Sequence, residues 1–418
     1  MSHVWRRARA FDPAVRLLFV NQFTINLGFY MLMPYLAAHL SGGLGLAAWA
    51  VGLVLGVRNL SQQGMFLVGG ALADRLGYKP LIVAGCALRT IGFGALAFAQ
   101  TLPVLIAASV ATGLAGALFN PAVRAYVAAD AGNEERRVEA FALFNVFYQG
   151  GILLGPLVGL ALTGIDFRVT CAVAAALFAV LSAVQVLRLP VRHRAAVVEA
   201  QGQGQEQERG QWRVVLGNRS FWLFSLAMTG SYVLSFQVYL ALPLEVARLV
   251  GDGTAGTVAT SALFVVSGLV ALAGQLRITD LCRRTWTRQQ CLVAGLGLLG
   301  ASFLPPALGG SGYVGVAGLL VCAAGLAGAT AVLYPFEMET VVALSGGRWV
   351  ATHYGLYNTV CGIGITVGNL ATGALLGATR SAPAVLWLGL AALGATCALA
   401  LRGLSRTGRL APQPAGAP

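Results

Sequence analysis

The chain has 418 residues, of which 57% are hydrophobic and only 10% charged, and its mean hydropathy is +0.75. So little polar surface excludes a soluble globule and makes lipid the solvent for most of the chain. The net charge of +13 and a pI near 9.9 would suit a nucleic-acid binder on balance alone, but the placement of the basic residues excludes that reading.

A bilayer core about 30 Å thick takes roughly 20 apolar residues per helix. Twelve such spans are expected, at 15–38, 47–72, 80–99, 103–129, 139–163, 169–188, 221–247, 255–278, 288–308, 312–341, 350–378 and 383–402. On this arrangement 23 of the 28 Lys and Arg fall at the termini and alternate loops of one side. Arg168, Arg248 and Arg380 fall on the other, and Arg58 and Arg89 lie inside spans. The asymmetry predicts cytoplasmic termini by the positive-inside rule, with the basic side facing anionic headgroups. The expected organisation is an N-terminal segment 1–14, a six-helix bundle 15–188, a polar linker 189–219, a second six-helix bundle 220–402 and a tail 403–418. The first span is too long for a signal-peptide core and no small-residue cleavage site follows it, so it reads as retained. Seven singly scattered cysteines without a C-x-x-C predict neither a disulfide framework nor a metal site.

Taken in chain order, the first span carries Gln22, Asn26 and Tyr30 at helical spacing. The second carries Arg58 with Gln62 one turn later on the same face. A charge at membrane depth costs about 3 kcal/mol on insertion scales, so Arg58, and Arg89 in the third span, should face the bundle interior or a wet cavity. Either can meet an anionic part of a substrate or a carboxylate; for Arg89 interhelical hydrogen bonding is an equal alternative. Between these spans lies Gly70-Ala-Leu-Ala-Asp-Arg-Leu-Gly-Tyr-Lys79. Asp74 at a membrane border can bond helix N-terminal amides or an Arg, and Arg75 and Lys79 can reach carboxylates or lipid phosphates. Contacts made in one state and broken in another bias a conformational equilibrium, so Gly70, Asp74, Arg75, Gly77 and Lys79 are read as a latch.

In the fifth span Asn145 and Gln149 precede Gly150-Gly151-x-x-x-Gly155-Pro156-x-x-Gly159. Glycines four apart admit a close neighbour and Pro156 bends the helix; helix packing alone accounts for such a pattern too. The linker from 189 to 219 mixes Arg, Glu, Gln and Gly and reads as a flexible connector. Tyr232, Phe236 and Tyr239 in the seventh span, and Tyr354 and Asn358 in the eleventh, extend the amide and aromatic set of the first and fifth. Such a mixed surface binds varied amphiphiles through apolar burial with few fixed hydrogen bonds; amide pairs that lock helices together are the alternative for Asn145 and Asn358. Proton coupling needs a group that gains and loses a proton. The candidates are Glu337 first, then Glu339, Glu245 and His353.

The two halves echo one another. Gly113-Leu-Ala-Gly116 with Pro121 matches Gly325-Leu-Ala-Gly328 with Pro335, Phe144-Asn145 matches Tyr357-Asn358, and Gly155 matches Gly368. An even number of spans per half makes this a parallel repeat, with a solute site expected near the midplane.

The 70–79 segment resembles the G-x-L-A-D-R-x-G-R-K loop of the major facilitator superfamily, with Tyr78 in place of Arg. Gly151, Gly155, Pro156 and Gly159 resemble the G-x-x-x-G-P-x-x-G element of its exporter branches. Arg58 to Gly64 and Asp166-Phe-Arg168 are most similar to multidrug efflux proteins of the MdtH type, in the drug/proton antiporter branch. The resemblance implies an all-α membrane protein of twelve transmembrane helices in two pseudo-symmetric six-helix bundles. It also implies proton-coupled efflux of small amphiphiles by alternating access, from a monomer in a bacterial inner membrane whose partners are the solute, protons and lipid. The fourth span lacks the interior Arg that such exporters often carry; Arg124 is the nearest candidate. A dedicated carrier of one metabolite, such as a siderophore, sugar, antibiotic or organic anion, is the alternative within transport. A non-transporting sensor or scaffold is the alternative outside it. With no P-loop, no metal-ligand cluster and no Ser, His and Asp set, neither enzymatic chemistry nor a cofactor is expected.

Overall fold

A computed structural model describes residues 2–40, 44–46, 48–163, 166–190, 211, 213–251, 254–378 and 384–407. Among them there is no strand. The helices are α1 (Ser2–Ala8), α2 (Pro13–Ala38), α3 (Ala48–Leu76), α4 (Tyr78–Phe98), α5 (Leu102–Ala131), α6 (Glu134–Thr163) and α7 (Phe167–Arg188). They continue as α8 (Arg219–Phe236), α9 (Ala241–Val250), α10 (Thr254–Thr285), α11 (Arg288–Ala301), α12 (Leu304–Ala307), α13 (Gly312–Ser345), α14 (Val350–Ala378) and α15 (Ala384–Arg406).

Nine stretches among the described residues are long and apolar enough to cross a membrane. Two of these join neighbouring helices: Arg219–Val250 runs through α8, a 3-10 turn at Gln237–Tyr239 and α9, and Arg288–Ala307 runs through α11 and α12. Helices α2, α3 and α14 supply the remaining three of the twelve expected spans. Only helices satisfy every backbone polar group within one segment in lipid, which is why apolar runs of this length become nothing else.

Local chemistry sets the helix ends. The Asp166 side chain accepts from the Arg168 amide at 2.8 Å to open α7, and Asn218 accepts from the Phe221 amide at 3.0 Å to open α8. Thr287 and Gln290 form a reciprocal capping box at the start of α11. Between α3 and α4 a single residue, Gly77, turns the chain at φ 91°, a left-handed conformation that a side chain would oppose.

The chain forms two compact units, one of Met1–Gly217 with Gly347–Thr359, the other of Asn218–Gly346 with Val360–Pro418. In the first, α3 packs on α5, and α4 on α5 and α7. In the second, α10 packs on α13, and α11 on α13 and α15. The same helix pairs therefore meet in both halves, which is the structural form of the sequence repeat. Because lipid tails are as apolar as Leu, association here rests on close van der Waals fit, and glycines provide it. A Cβ added at Gly113 would overlap the Arg58 carbonyl oxygen of α3, and one at Gly151 the Phe23 carbonyl oxygen of α2. At Gly155 the added Cβ would lie 2.7 Å from the Tyr30 Cβ. Gly151 and Gly155 thus seat α6 directly against α2, the helix that carries Gln22, Asn26 and Tyr30. All seven cysteines are free and buried.

Candidate functional site

Asp74 occupies the last turn of α3, just before the chain reverses at Gly77. Helix geometry leaves it pointing away from its own backbone, and its carboxylate lies on the first turn of α14. Oδ2 accepts from the Thr352 amide at 2.7 Å and the Thr352 hydroxyl at 2.6 Å, while Oδ1 accepts from the Ala351 amide at 3.2 Å. The Tyr78 hydroxyl donates to Oδ1 at a longer 3.4 Å. A helix leaves its first amides without internal partners and carries partial positive charge there. Asp74 satisfies two of those amides with a full negative charge, so one helix is capped by a side chain 278 residues away. The residue before the helix, Trp349, sits at φ 51°, the only described non-glycine residue with positive φ, and its carbonyl accepts from the His353 amide at 2.9 Å.

The network closes through the end of the linker. Gln211 is fully buried; its amide nitrogen donates to the Thr352 hydroxyl oxygen at 2.7 Å and its carbonyl oxygen accepts from Arg75 Nε at 2.8 Å. Asp74, Thr352, Gln211 and Arg75 therefore form a chain of charge-assisted and neutral hydrogen bonds joining α3, the linker and α14 within the first unit. Lys79 Nζ donates to the Val186 carbonyl at the end of α7, 2.9 Å away. Most of the expected connector, residues 191–210, lies outside the described residues, but 213–217 are helical.

Two glycines allow this approach. A Cβ at Gly70 would overlap the Ala351 carbonyl oxygen, and a Cβ at Gly355 would overlap that of Phe66, so α3 and the start of α14 touch backbone to backbone. Further along, Arg124 Nη1 donates to the Asn358 side-chain oxygen at 2.9 Å and the Asn358 amide to the Tyr354 carbonyl at 2.7 Å. Tyr354 is fully buried with its ring edge-on to Phe141, centroids 6.2 Å apart.

The other residues singled out from sequence fall in separate places. Arg58 donates to Gln62 Oε1 at 2.8 Å and to Asn59 at 2.9 Å, with its guanidinium 4.3 Å from the Phe29 ring centroid. Arg89 is buried in the bundle interior, 5.7 Å from the Phe119 ring centroid and 5.8 Å from that of Phe178. Gln22, Asn26 and Asn145 are buried, and Asn26 donates to the Gln22 carbonyl of its own helix at 2.7 Å. Gln149 is half-buried. In the second unit Tyr232 is half-buried, Phe236 and Tyr239 tilt together at 5.6 Å, and Tyr239 is 44% exposed. Glu337, Glu339 and Glu245 are all buried; Glu339 faces Arg288 at 3.9 Å and Glu245 is held by Arg248 through Nε at 2.9 Å. His353 is buried with Nδ1 2.9 Å from the Trp349 carbonyl.

Thr352 and Gln211 are the functional candidates that sequence reasoning does not find. Neither lies in a motif, and Gln211 is one of several glutamines in a polar stretch. We expect Gln211→Ala to leave the Arg75 guanidinium and the Thr352 hydroxyl without that partner. A neutral hydrogen bond contributes about 1 kcal/mol and a charged one about 2, so a loss of transport rate of about five- to thirtyfold should follow in vesicle assays. An unchanged rate would show that Gln211 adds nothing to transport through this network.

Membrane-length helices in two halves wired alike define a multi-pass membrane protein built on an internal repeat. The family model of the Major Facilitator Superfamily matches residues 18–369, and the chain belongs to that superfamily. It is 54% identical over 407 residues to an MFS-type transporter of Mycobacterium tuberculosis, covering 95% of this chain and 94% of that one. It is 29% identical to the multidrug resistance protein MdtH of Klebsiella pneumoniae and 28% to that of Salmonella arizonae, covering 92% of each chain in both comparisons. Among solved structures it resembles the major facilitator transporter FucP in the outward conformation, with TM-score 0.73, 16% identity, and coverage of 94% of this chain and 98% of that one. The protein is thus a multi-pass membrane transporter and not an enzyme.

Proposed function

We propose that this transporter exports small amphiphilic compounds in exchange for protons. The Asp74–Thr352 cap would act as the latch that stabilises one conformation of the cycle. The observation that carries the latch is geometric: a single carboxylate receives three donors from the first turn of α14, at 2.6 to 3.2 Å. Such bonds are made or lost as a set, so their free energy differs between states, which is the requirement for biasing a conformational equilibrium. The efflux direction is supported by the similarity to the MdtH multidrug resistance proteins and by the close seating of α6 on α2 through Gly151 and Gly155. Gln22, Asn26, Tyr30, Arg58 and Gln62 are proposed to line the path in the first half, and Tyr232, Phe236 and Tyr239 in the second. Glu337 is the proposed proton carrier because it is buried in α13 two residues past Pro335, where a carboxylate exchanges its proton only when the surroundings change.

The test is accumulation of a fluorescent lipophilic cation in inverted vesicles carrying the protein, with and without an imposed proton gradient. Gradient-dependent accumulation, lost in Glu337→Gln, is the expected result. Accumulation that ignores the gradient would overturn proton coupling, and no accumulation of any cation would overturn multidrug export in favour of a single-substrate carrier.

A further inference from the structure

In the second unit, the turn from α10 to α11 and the last turns of α15 line an open cavity of about 530 Å³. Its walls include Trp286, Gln289 and Val293 on one side and Arg402 and Arg406 on the other, and none of its lining residues is acidic. Arg402 and Arg406 are one helical turn apart, on one face of α15, and neither side chain bonds or pairs with any described residue. The nearby basic residue Arg288, by contrast, is already opposite Glu339 at 3.9 Å. Trp286 is 43% exposed at this rim, the position in which an indole bridges apolar and wet surroundings. Along the same two helices, Leu298 and Leu399 are exposed at 46% and 67%.

We infer that this cavity is a binding site for the phosphate of an anionic phospholipid headgroup. The two guanidinium groups supply the planar donors that suit phosphate oxygens, the half-exposed indole is an amphipathic ring of the kind enriched at headgroup level, and the exposed leucines of α11 and α15 offer apolar surface for acyl chains. That apolar continuation selects a lipid over free inorganic phosphate, which has the same headgroup chemistry but gains nothing from it. None of its lining residues belongs to the proposed latch or to the residues proposed to line the solute path.

Native mass spectrometry of the full chain in detergent tests it, with phosphatidylglycerol, phosphatidylcholine and inorganic phosphate added in turn. A surface basic residue contributes roughly a fivefold gain in affinity for an anionic lipid, so Arg402→Gln with Arg406→Gln should weaken phosphatidylglycerol retention about thirtyfold. Phosphatidylcholine binding should be little changed. The control pair Arg277→Gln with Arg284→Gln removes equal charge from exposed positions on α10 and should leave retention near that of the unmodified chain. Equal weakening by both pairs would reduce the effect to general surface charge and overturn the site. Displacement of the lipid by inorganic phosphate at comparable concentration would overturn the lipid assignment. All four arginines are exposed, so an unchanged melting temperature is the expected sign that the variants remain folded.

Discussion

Asp74→Asn is expected to lower the transport rate at least tenfold while leaving the protein folded and inserted in the membrane. The substitution keeps the size of the side chain but removes its charge, and its amide nitrogen cannot accept from the amides of α14. Charge-assisted hydrogen bonds contribute about 1.5–3 kcal/mol each, and the interaction with the helix dipole adds up to about 1. Losing even 2 kcal/mol of differential stabilisation shifts a two-state equilibrium about thirtyfold. Asp74→Glu retains the charge but lengthens the side chain at a backbone-to-backbone contact, so it should recover only part of the rate. Transport kinetics alongside accessibility of a cysteine introduced at Ala351, which contributes only its backbone amide to the cap, would measure both effects. A normal rate in Asp74→Asn would leave the cap as a static structural contact outside the transport cycle.

Gly355→Val should be more severe than any removal of a hydrogen bond. Its added Cβ would overlap the Phe66 carbonyl oxygen, and backbone, unlike a flexible side chain, cannot swing aside. Overpacking costs typically 1–3 kcal/mol where side chains can adjust and more where they cannot. The capped arrangement would therefore be lost, with transport falling to background, and the same holds for Gly70→Val against Ala351. Gly328→Val, whose added Cβ meets nothing within 4 Å, is the matched control and should stay close to full activity. Wild-type rates in Gly355→Val would show that the approach of α3 to α14 is not part of the cycle.

The fold is legible in the sequence because each span is a local property: some twenty apolar residues need no distant partner to become a helix in lipid. The repeat is legible for the same reason, since Gly113, Gly116 and Pro121 recur as Gly325, Gly328 and Pro335. The acceptor side of the proposed latch also has a local signature, the spacing of Gly70, Asp74, Arg75 and Gly77. Its donor side has none. Ala351 and Thr352 contribute chiefly backbone amides, which every residue possesses, so no residue type marks them out. Gln211 carries an ordinary side chain in a polar stretch, and only its burial beside Arg75 distinguishes it. Arg89 illustrates the reverse case: the charge is conspicuous in the sequence, whereas its contacts are two aromatic faces that periodicity does not single out.

The scarcity of one residue type gives this transporter a built-in reporter. Arginine outnumbers lysine so completely that Lys79 is the single lysine of the chain, and it stands five residues from Asp74 with its ammonium on the Val186 carbonyl. An amine-directed fluorophore or isotopic tag would therefore mark one side chain, close in sequence to the Asp74 cap, besides the α-amino group. The seven native cysteines, all buried, would stay silent under thiol chemistry aimed at an introduced site. Two orthogonal labels can thus follow the cycle in an otherwise unmodified protein.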